Sequence, residues 1–200
     1  MIEILIFDMD GTLYQHDGDE GTFKNSSLNN AILANSEQFV INRENCDRDT
    51  AKALVSEALV TDTIGISNFM AKRYGITRGD FFDIVWDINP KSVIKNFDTQ
   101  TEIVKKLAKT NKRLFLLTGA PRIWMENVMK ELGLSEVFER KFNGEMFATK
   151  SDIFEKLARE FEPSSLMSIG DQLESDILPA EKFGLKTFLV KNPEDLLKLI

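Results

Sequence analysis

The strongest constraint on the fold is an alternation of short apolar runs with segments of helical periodicity. The runs are rich in leucine, aromatic and β-branched side chains, and they often end at aspartate, glycine or threonine. The predicted strands are residues 2–7, 113–119, 137–142, 165–171 and 185–190. Strands that alternate with helices predict an α/β protein with a parallel sheet.

A long helical stretch interrupts this alternation near the start of the chain. From about residue 25 to residue 89, apolar residues recur three and four positions apart, and no convincing strand occurs. Within the stretch, Thr77–Asp80 is typical of one helix ending and the next being capped. We therefore predict a core of residues 1–14 and 91–200 with an inserted helical unit of residues 15–90.

The composition narrows the possible classes of function. The chain has 200 residues, of which 42% are hydrophobic and 28% are charged, which is enough to build an ordinary core. The formal net charge of -7 argues against a nucleic-acid partner, because nucleic-acid binders usually present a basic face. It does not argue against a small phosphorylated substrate, since a metal ion and a lysine can supply positive charge locally.

Cysteine and histidine each occur once, as Cys46 and His16. No disulfide can form within the chain, and a reducing compartment is expected. A Ser-His-Asp triad or a multi-histidine zinc site has almost nothing to be built from. The sequence also lacks a signal-peptide pattern and any apolar run of about 18 residues, so we expect a cytoplasmic protein without membrane contacts.

Polar side chains follow four of the predicted strands. Ligands of such sheets bind at the carboxyl ends of the strands, so these side chains are candidates for one cleft. The candidates are Asp8 and Asp10 after the first strand, Thr118 and Gly119 after the second, Lys150 after the third, and Asp171, Glu174 and Asp176 after the fourth.

Clustered carboxylates repel one another unless a cation joins them, and oxygen ligands from aspartates suit Mg²⁺. A carboxylate beside such a metal can attack a phosphorus atom, and a second carboxylate can protonate the leaving oxygen. Each residue taken alone is also explained as a turn former, a helix cap or a solvated lysine. Their occurrence in order, each at a strand end, favours the phosphoryl-transfer interpretation.

Four segments together resemble the motifs of the haloacid dehalogenase superfamily. They are DMDGT at residues 8–12, LLTG at 116–119, Lys150, and GDQLESD at 170–176. The resemblance spans nearly the whole chain. It implies a Rossmann-like core that bears the motifs, with residues 15–90 as a helical cap over the site.

The resemblance implies roles for three aspartates. Asp8 would be the nucleophile that forms an aspartyl-phosphate. Asp10 would be the general acid and base, with its backbone carbonyl also on the metal. Asp171 would bind Mg²⁺ directly, so that Asp8, Asp10 and Asp171 form the metal site.

Four further positions acquire roles from the same resemblance. Thr118, with Gly119, would bind the phosphoryl group. Lys150 would steady the nucleophile and the phosphate, and Asp176 would support the site from behind by holding Lys150. The family often has proline after the motif lysine, whereas Ser151 follows Lys150 here. Lys141 is therefore an alternative candidate for the lysine.

The implied activity is that of a Mg²⁺-dependent phosphatase acting on small phosphomonoesters. Asp10 favours this over dehalogenation, because family members that cleave carbon–halogen bonds lack the second aspartate. A phosphomutase with the same motifs is the first alternative. A phosphoacceptor signalling domain is the second, with Asp62 as its acceptor.

The substrate is left open among sugar phosphates, nucleotides and phosphoglycolate, and so is the oligomeric state. The opening DMDGTLY also resembles pyrimidine 5′-nucleotidase relatives. Several residues of the predicted cap either face the substrate or pack the cap itself. They are Phe69, Arg73, Tyr74, Phe81, Phe82 and Trp86.

Overall fold

A five-stranded parallel sheet organises the computed structural model, which describes residues 2–18, 23–61, 65–95 and 97–200. The strand order is β3-β2-β1-β4-β5, so β1 lies at the centre. The strands are β1 (Ile4–Phe7), β2 (Arg113–Leu117), β3 (Arg140–Phe142), β4 (Leu166–Gly170) and β5 (Lys186–Leu189). The predicted α/β class and its parallel, Rossmann-like sheet are confirmed.

The central strand is apolar throughout because both of its faces are covered. Leu5 and Phe7 belong to one buried apolar cluster, whereas Ile4 and Ile6 belong to a second cluster. This follows from the alternation of side chains across a strand. The register places Phe7 beside Leu116 of β2 and Ile169 of β4, so the three strands end at nearly the same level.

Helices fill the connections between the strands. They are α1 (Ser27–Glu44), α2 (Arg48–Thr61), α3 (Ile66–Tyr74), α4 (Arg78–Val85), α5 (Asp98–Leu107), α6 (Arg122–Glu131), α7 (Lys150–Glu160) and α8 (Leu178–Lys182). Short 3-10 helices occupy Pro90–Ser92, Pro163–Ser165 and Pro193–Leu199, and a π-helix occupies Leu173–Ile177. None of the helices in the described ranges is both long and apolar enough to cross a membrane.

Helices α1 to α4 come between β1 and β2 along the chain, in the stretch for which the sequence predicts helices. They pack against one another, and Thr77 caps α4 through a reciprocal bond with Asp80, as its sequence predicts. Their buried side chains, such as Leu28 and Phe81, join the same apolar cluster as Phe7. The limits of the cap at residues 15 and 90 stay a prediction.

Most strands are one or two residues shorter at an end than predicted, and two larger differences have a physical reason. The chain at Val137 still closes a turn onto Leu134, so β3 begins three residues later than expected. The run SDIFEKLAREF at residues 151–161 predicts a helix capped by Ser151, and this is wrong. The Asp152 carboxylate reaches back to the Thr149 N–H at 3.0 Å, which makes Thr149 the cap and places Lys150 in the first turn.

Candidate active site

The carboxyl ends of β1, β2 and β4 bring most of the predicted site residues together. Asp8 follows β1, Thr118 follows β2 and Asp171 follows β4, and these strands are neighbours in the sheet. A cleft of about 700 Å³ opens here, with Asp8 and Lys150 among its lining residues. The fold therefore assembles at one edge the groups that are dispersed along the chain.

Asp8 is a buried carboxylate with a cation beside it. Its side chain lies 2.6 Å from the Lys150 ammonium and accepts a longer bond of 3.4 Å from the Thr12 hydroxyl. Burial raises the pKa of Asp8 well above its ordinary value, Lys150 opposes this rise, and Asp176 reinforces it. The ionised form of Asp8 thus depends on positive charge supplied at this point.

Lys150 joins Asp8 to Asp176. Its ammonium also lies 2.6 Å from an Asp176 oxygen, while the other Asp176 oxygen accepts from the Gln172 N–H at 3.0 Å. Burial works against the charge on Lys150, but the Asp8 and Asp176 carboxylates outweigh it and hold the lysine pKa above its ordinary value. The alternative lysine, Lys141, instead donates to the Ser135 carbonyl.

Asp10 accepts hydrogen bonds on both of its carboxylate oxygens. Thr118 donates to Oδ2 at 2.9 Å, and Trp124 Nε1–H donates to Oδ1 at 3.2 Å. The Tyr14 hydroxyl also donates to Oδ1 and itself accepts from Trp124 at 3.1 Å. Burial, together with the nearby Asp10 charge, raises the pKa of Tyr14 well above its ordinary value, so the phenol stays a donor.

Sequence reasoning missed both aromatic partners of Asp10. In the sequence, Tyr14 is the last residue of DMDGTLY and Trp124 is an apolar residue of α6. No sequence pattern indicates that these two side chains meet. The Thr118 hydroxyl, expected to bind a phosphoryl group, is fully buried and bound to Asp10. Gly119 lines the cleft, and the space beside its Cα is open.

The aspartates include a set whose geometry suits a metal. Asp8, Asp171 and Asp176 each offer an oxygen within 4.8 Å of the others. Oδ1 of Asp171 is buried without a hydrogen-bond partner among the described residues, so this oxygen is free to bind a cation. The Asp10 carboxylate does not belong to this set, and a role for its backbone carbonyl stays a prediction.

Electrostatics and packing also set Asp171 apart. Burial, reinforced by Asp176, raises the pKa of Asp171 to about 6. Gly11 has a φ of 83°, and a Cβ on it would lie 2.3 Å from Asp171 Oδ2. The glycine therefore serves two needs, a left-handed backbone and room for a carboxylate.

An aromatic wall, defined as His16, Phe23 and Trp86, lines the same cleft as Asp8 and Asp10. Phe23 and Trp86 are parallel, with ring centroids 6.4 Å apart, and the His16 ring lies 5.5 Å from that of Phe23. Nδ1 of His16 is buried with no partner among the described residues, and burial lowers the pKa of His16. Glu174 also lines the cleft.

Of the cap candidates, Trp86 is the one that lines the cleft. Arg73 and Tyr74 lie elsewhere and bind the exposed Glu44 at 2.8 and 2.7 Å. Phe69, Phe81 and Phe82 pack within or against the apolar cluster. Asp62, the acceptor required by the signalling alternative, lies outside the residues that the structure describes.

Comparison with known families decides the class. The profile described as haloacid dehalogenase-like hydrolase matches residues 2–184, nearly the whole chain. This chain belongs to that family. The resemblance seen in its motifs is therefore confirmed, whereas no curated protein matches the sequence.

Solved structures share the fold of this haloacid dehalogenase (HAD)-like hydrolase. A HAD phosphatase from Thermococcus onnurineus is 18% identical, with a TM-score of 0.64, covering 95% of this chain and 86% of that one. A 2-haloacid dehalogenase from Pseudomonas syringae pv. Tomato is 17% identical, with a TM-score of 0.61 and full coverage of both chains. A magnesium complex of a HAD family enzyme from Bacteroides thetaiotaomicron is 18% identical, with a TM-score of 0.58, covering 99% and 98%.

At these identities the likeness establishes the fold of the HAD-like hydrolase and not its substrate. The neighbours include both a phosphatase and a dehalogenase. The choice between those reactions depends on the side chains in the cleft.

Proposed function

We propose that this HAD-like hydrolase is a Mg²⁺-dependent phosphatase of small phosphomonoesters that works through an aspartyl-phosphate on Asp8. The observation that carries the proposal is the presence of Asp10 in the same cleft as Asp8. Breaking an ester bond to phosphorus releases an alkoxide, which needs a proton donor. Halide departure needs none, so a second, bound carboxylate favours phosphoryl transfer over dehalogenation.

In the first step, an Asp8 oxygen attacks phosphorus, the ester P–O bond breaks, and the leaving oxygen takes a proton from Asp10. In the second step, Asp10 removes a proton from water, whose oxygen attacks phosphorus and breaks the bond to Asp8. The products are the alcohol and inorganic phosphate, with Asp8 regenerated. Lys150 stays 2.6 Å from Asp8 and offsets the repulsion between two anions.

Asp8 and Asp171 would hold the metal, because Asp171 Oδ1 lacks any other partner among the described residues. Mg²⁺, when bound, supplies positive charge to the nucleophile and to the phosphoryl oxygens. Asp176 lies close to both aspartates, but Lys150 and the Gln172 N–H already occupy its oxygens. Its proposed part is to fix Lys150, as the resemblance implies.

We propose a small phosphorylated metabolite as the substrate. A cleft of about 700 Å³ admits a metabolite-sized molecule. The net charge of -7 disfavours nucleic acid, and the single free cysteine, Cys46, supports a reducing, cytoplasmic compartment. Gly119, which lines the cleft, is proposed to contact the phosphoryl group, and the buried Thr118 would join it only once its hydroxyl releases Asp10.

The experiment is a phosphate-release screen over phosphorylated metabolites, with Mg²⁺ and with EDTA. Rapid-quench mass spectrometry should find a phosphate adduct on Asp8. Asp8→Asn should abolish both turnover and adduct, whereas Asp98→Asn, which alters an exposed aspartate on α5, should change neither. Near-normal turnover of Asp8→Asn or full activity in EDTA would refute the proposal. Interconversion of sugar-phosphate isomers without phosphate release would identify a phosphomutase.

A further inference from the structure

Two buried aromatic donors converge on one oxygen of Asp10. Tyr14 and Trp124 both donate to Oδ1, and Trp124 also donates to the Tyr14 hydroxyl, so the three groups form a closed triangle. Tyr14 follows the first strand, whereas Trp124 lies on α6, and both side chains are fully buried. Their rings meet edge to face with centroids 6.4 Å apart.

We propose that Tyr14 and Trp124 are positioning residues that hold the Asp10 carboxylate in the orientation needed for proton transfer. This inference rests on the function proposed above. Neither aromatic residue needs to touch the substrate for this role. Both act through Asp10.

The two Asp10 oxygens accept different hydrogen bonds, and this difference supports the inference. Oδ1 accepts two hydrogen bonds from rigid, buried donors, whereas Oδ2 accepts one from Thr118. Two donors on Oδ1 leave Oδ2 with the capacity to carry the transferable proton. A carboxylate held at three points cannot rotate freely, and proton transfer depends on such alignment.

Packing explains why the anchors are rigid. The Tyr14 ring packs edge to face against the rings of Trp124 and His16, whose centroids are 6.4 and 5.4 Å from its own. A fully buried ring among other rings has no alternative rotamer to adopt without opening a void. The hydroxyl and the indole N–H are therefore fixed relative to Asp10.

The test compares two substrates that differ in their need for a proton. An alkyl phosphate that the wild-type protein hydrolyses requires protonation of its leaving group, whereas 4-nitrophenyl phosphate does not. The quantity to measure is kcat/KM, which reports the steps up to formation of the phosphoenzyme. Tyr14→Phe should lower kcat/KM about tenfold for the alkyl ester. General acid catalysis contributes roughly 10²–10⁴-fold in total, and the positioning of Asp10 accounts for a part of that factor. For the aryl ester the loss should stay below about twofold, because that first step does not use the Asp10 proton.

The chain offers a matched control in its other tyrosine. Tyr74→Phe removes a hydroxyl that binds Glu44 away from the cleft, and it should leave both values unchanged. Melting temperatures of both variants show whether the proteins are folded at the assay temperature. Trp124→Phe removes the second donor to Oδ1 and should reproduce the selective loss.

A double-mutant cycle separates positioning from general structural damage. With Asp10→Asn already in place, adding Tyr14→Phe should change the alkyl-ester rate by less than about twofold, because the residue acts through Asp10. Equal losses for both esters, or additive losses in the cycle, would overturn the inference and leave the phosphatase function intact. A wild-type protein that hydrolyses neither ester would overturn the function and the inference together.

Discussion

The Lys150 ammonium lies 2.6 Å from a carboxylate oxygen of Asp8, a residue 142 positions earlier in the chain. The contact forms because Asp8 directly follows the central strand and Lys150 is the first residue of α7. Both side chains are nearly buried, so water screens their attraction little. The pair is the electrostatic centre of the proposed site.

Replacing the cation of this pair should nearly abolish activity. Lys150→Met keeps most of the length of the side chain but leaves Asp8 and Asp176 without their shared partner. We expect kcat to fall by about 10²-fold or more, because the charge that faces the phosphoryl group is lost. Lys141→Met is the control and should retain activity within about twofold, since Lys141 binds the Ser135 carbonyl outside the cleft. Steady-state kinetics would check both variants, and equal losses would contradict the assignment of Lys150.

A methyl group on Gly11 should weaken Mg²⁺ binding. In Gly11→Ala the new Cβ would lie 2.3 Å from Asp171 Oδ2, so the carboxylate must move. We expect affinity to fall by about 10- to 100-fold, as when groups that orient metal ligands are disturbed. Isothermal titration with Mg²⁺ measures the change.

Gly75→Ala separates the clash from backbone strain. Gly75 also has a positive φ, of 65°, but a Cβ there meets nothing within 4 Å. This variant should lose about 1–2 kcal/mol of stability from the left-handed backbone and bind Mg²⁺ normally. If Gly11→Ala and Gly75→Ala bind Mg²⁺ equally well, then the absence of a side chain at Gly11 is not needed to make room for the Asp171 carboxylate.

Mg²⁺ affinity should fall as the pH is lowered through about 6. The pKa of the Asp171 carboxyl is raised to about 6 in the metal-free protein, and that of Asp8 is raised as well. The metal binds the deprotonated groups, so below these pKa values protons compete and each protonated carboxylate costs up to about tenfold in affinity per pH unit. Titrations at pH 7.5 and 5.5 should differ accordingly. Identical affinities would mean that these carboxylates do not bind the ion.

The aromatic wall should set substrate preference. Trp86→Ala removes the ring that lies parallel to Phe23, and KM for substrates with a bulky leaving group should rise about two- to tenfold. Acetyl phosphate has a small leaving group that offers little surface to a ring, and it should be hydrolysed at the wild-type rate. Tyr74→Ala, which is outside the cleft, should leave the ratio between substrates unchanged. A common loss across all substrates for Trp86→Ala would indicate that Trp86 only packs the cap.

Much of the fold and of the candidate site could be predicted from local patterns in the sequence. The run Ile4–Phe7 followed by Asp8 predicts a buried strand with a carboxylate at its end, and the later strands are recognised in the same way. Because parallel strands present their carboxyl ends at one edge, the meeting of Asp8, Thr118 and Asp171 also follows from the sequence. Such predictions succeed because side-chain periodicity is a local property of the chain.

Tertiary structure alone decided which aromatic side chains bind Asp10, whereas the resemblance already implies that Lys150 binds Asp8 and Asp176. Tyr14 and Trp124 are 110 residues apart, and their convergence on Asp10 depends on how α6 packs against the end of β1. The choice of Lys150 over Lys141 likewise depends on the helix start set by Asp152. The contacts of Asp10 arise from the order of strands and the packing of helices, which no local pattern encodes, so the sequence determined the reacting groups and the fold determined the partners of Asp10.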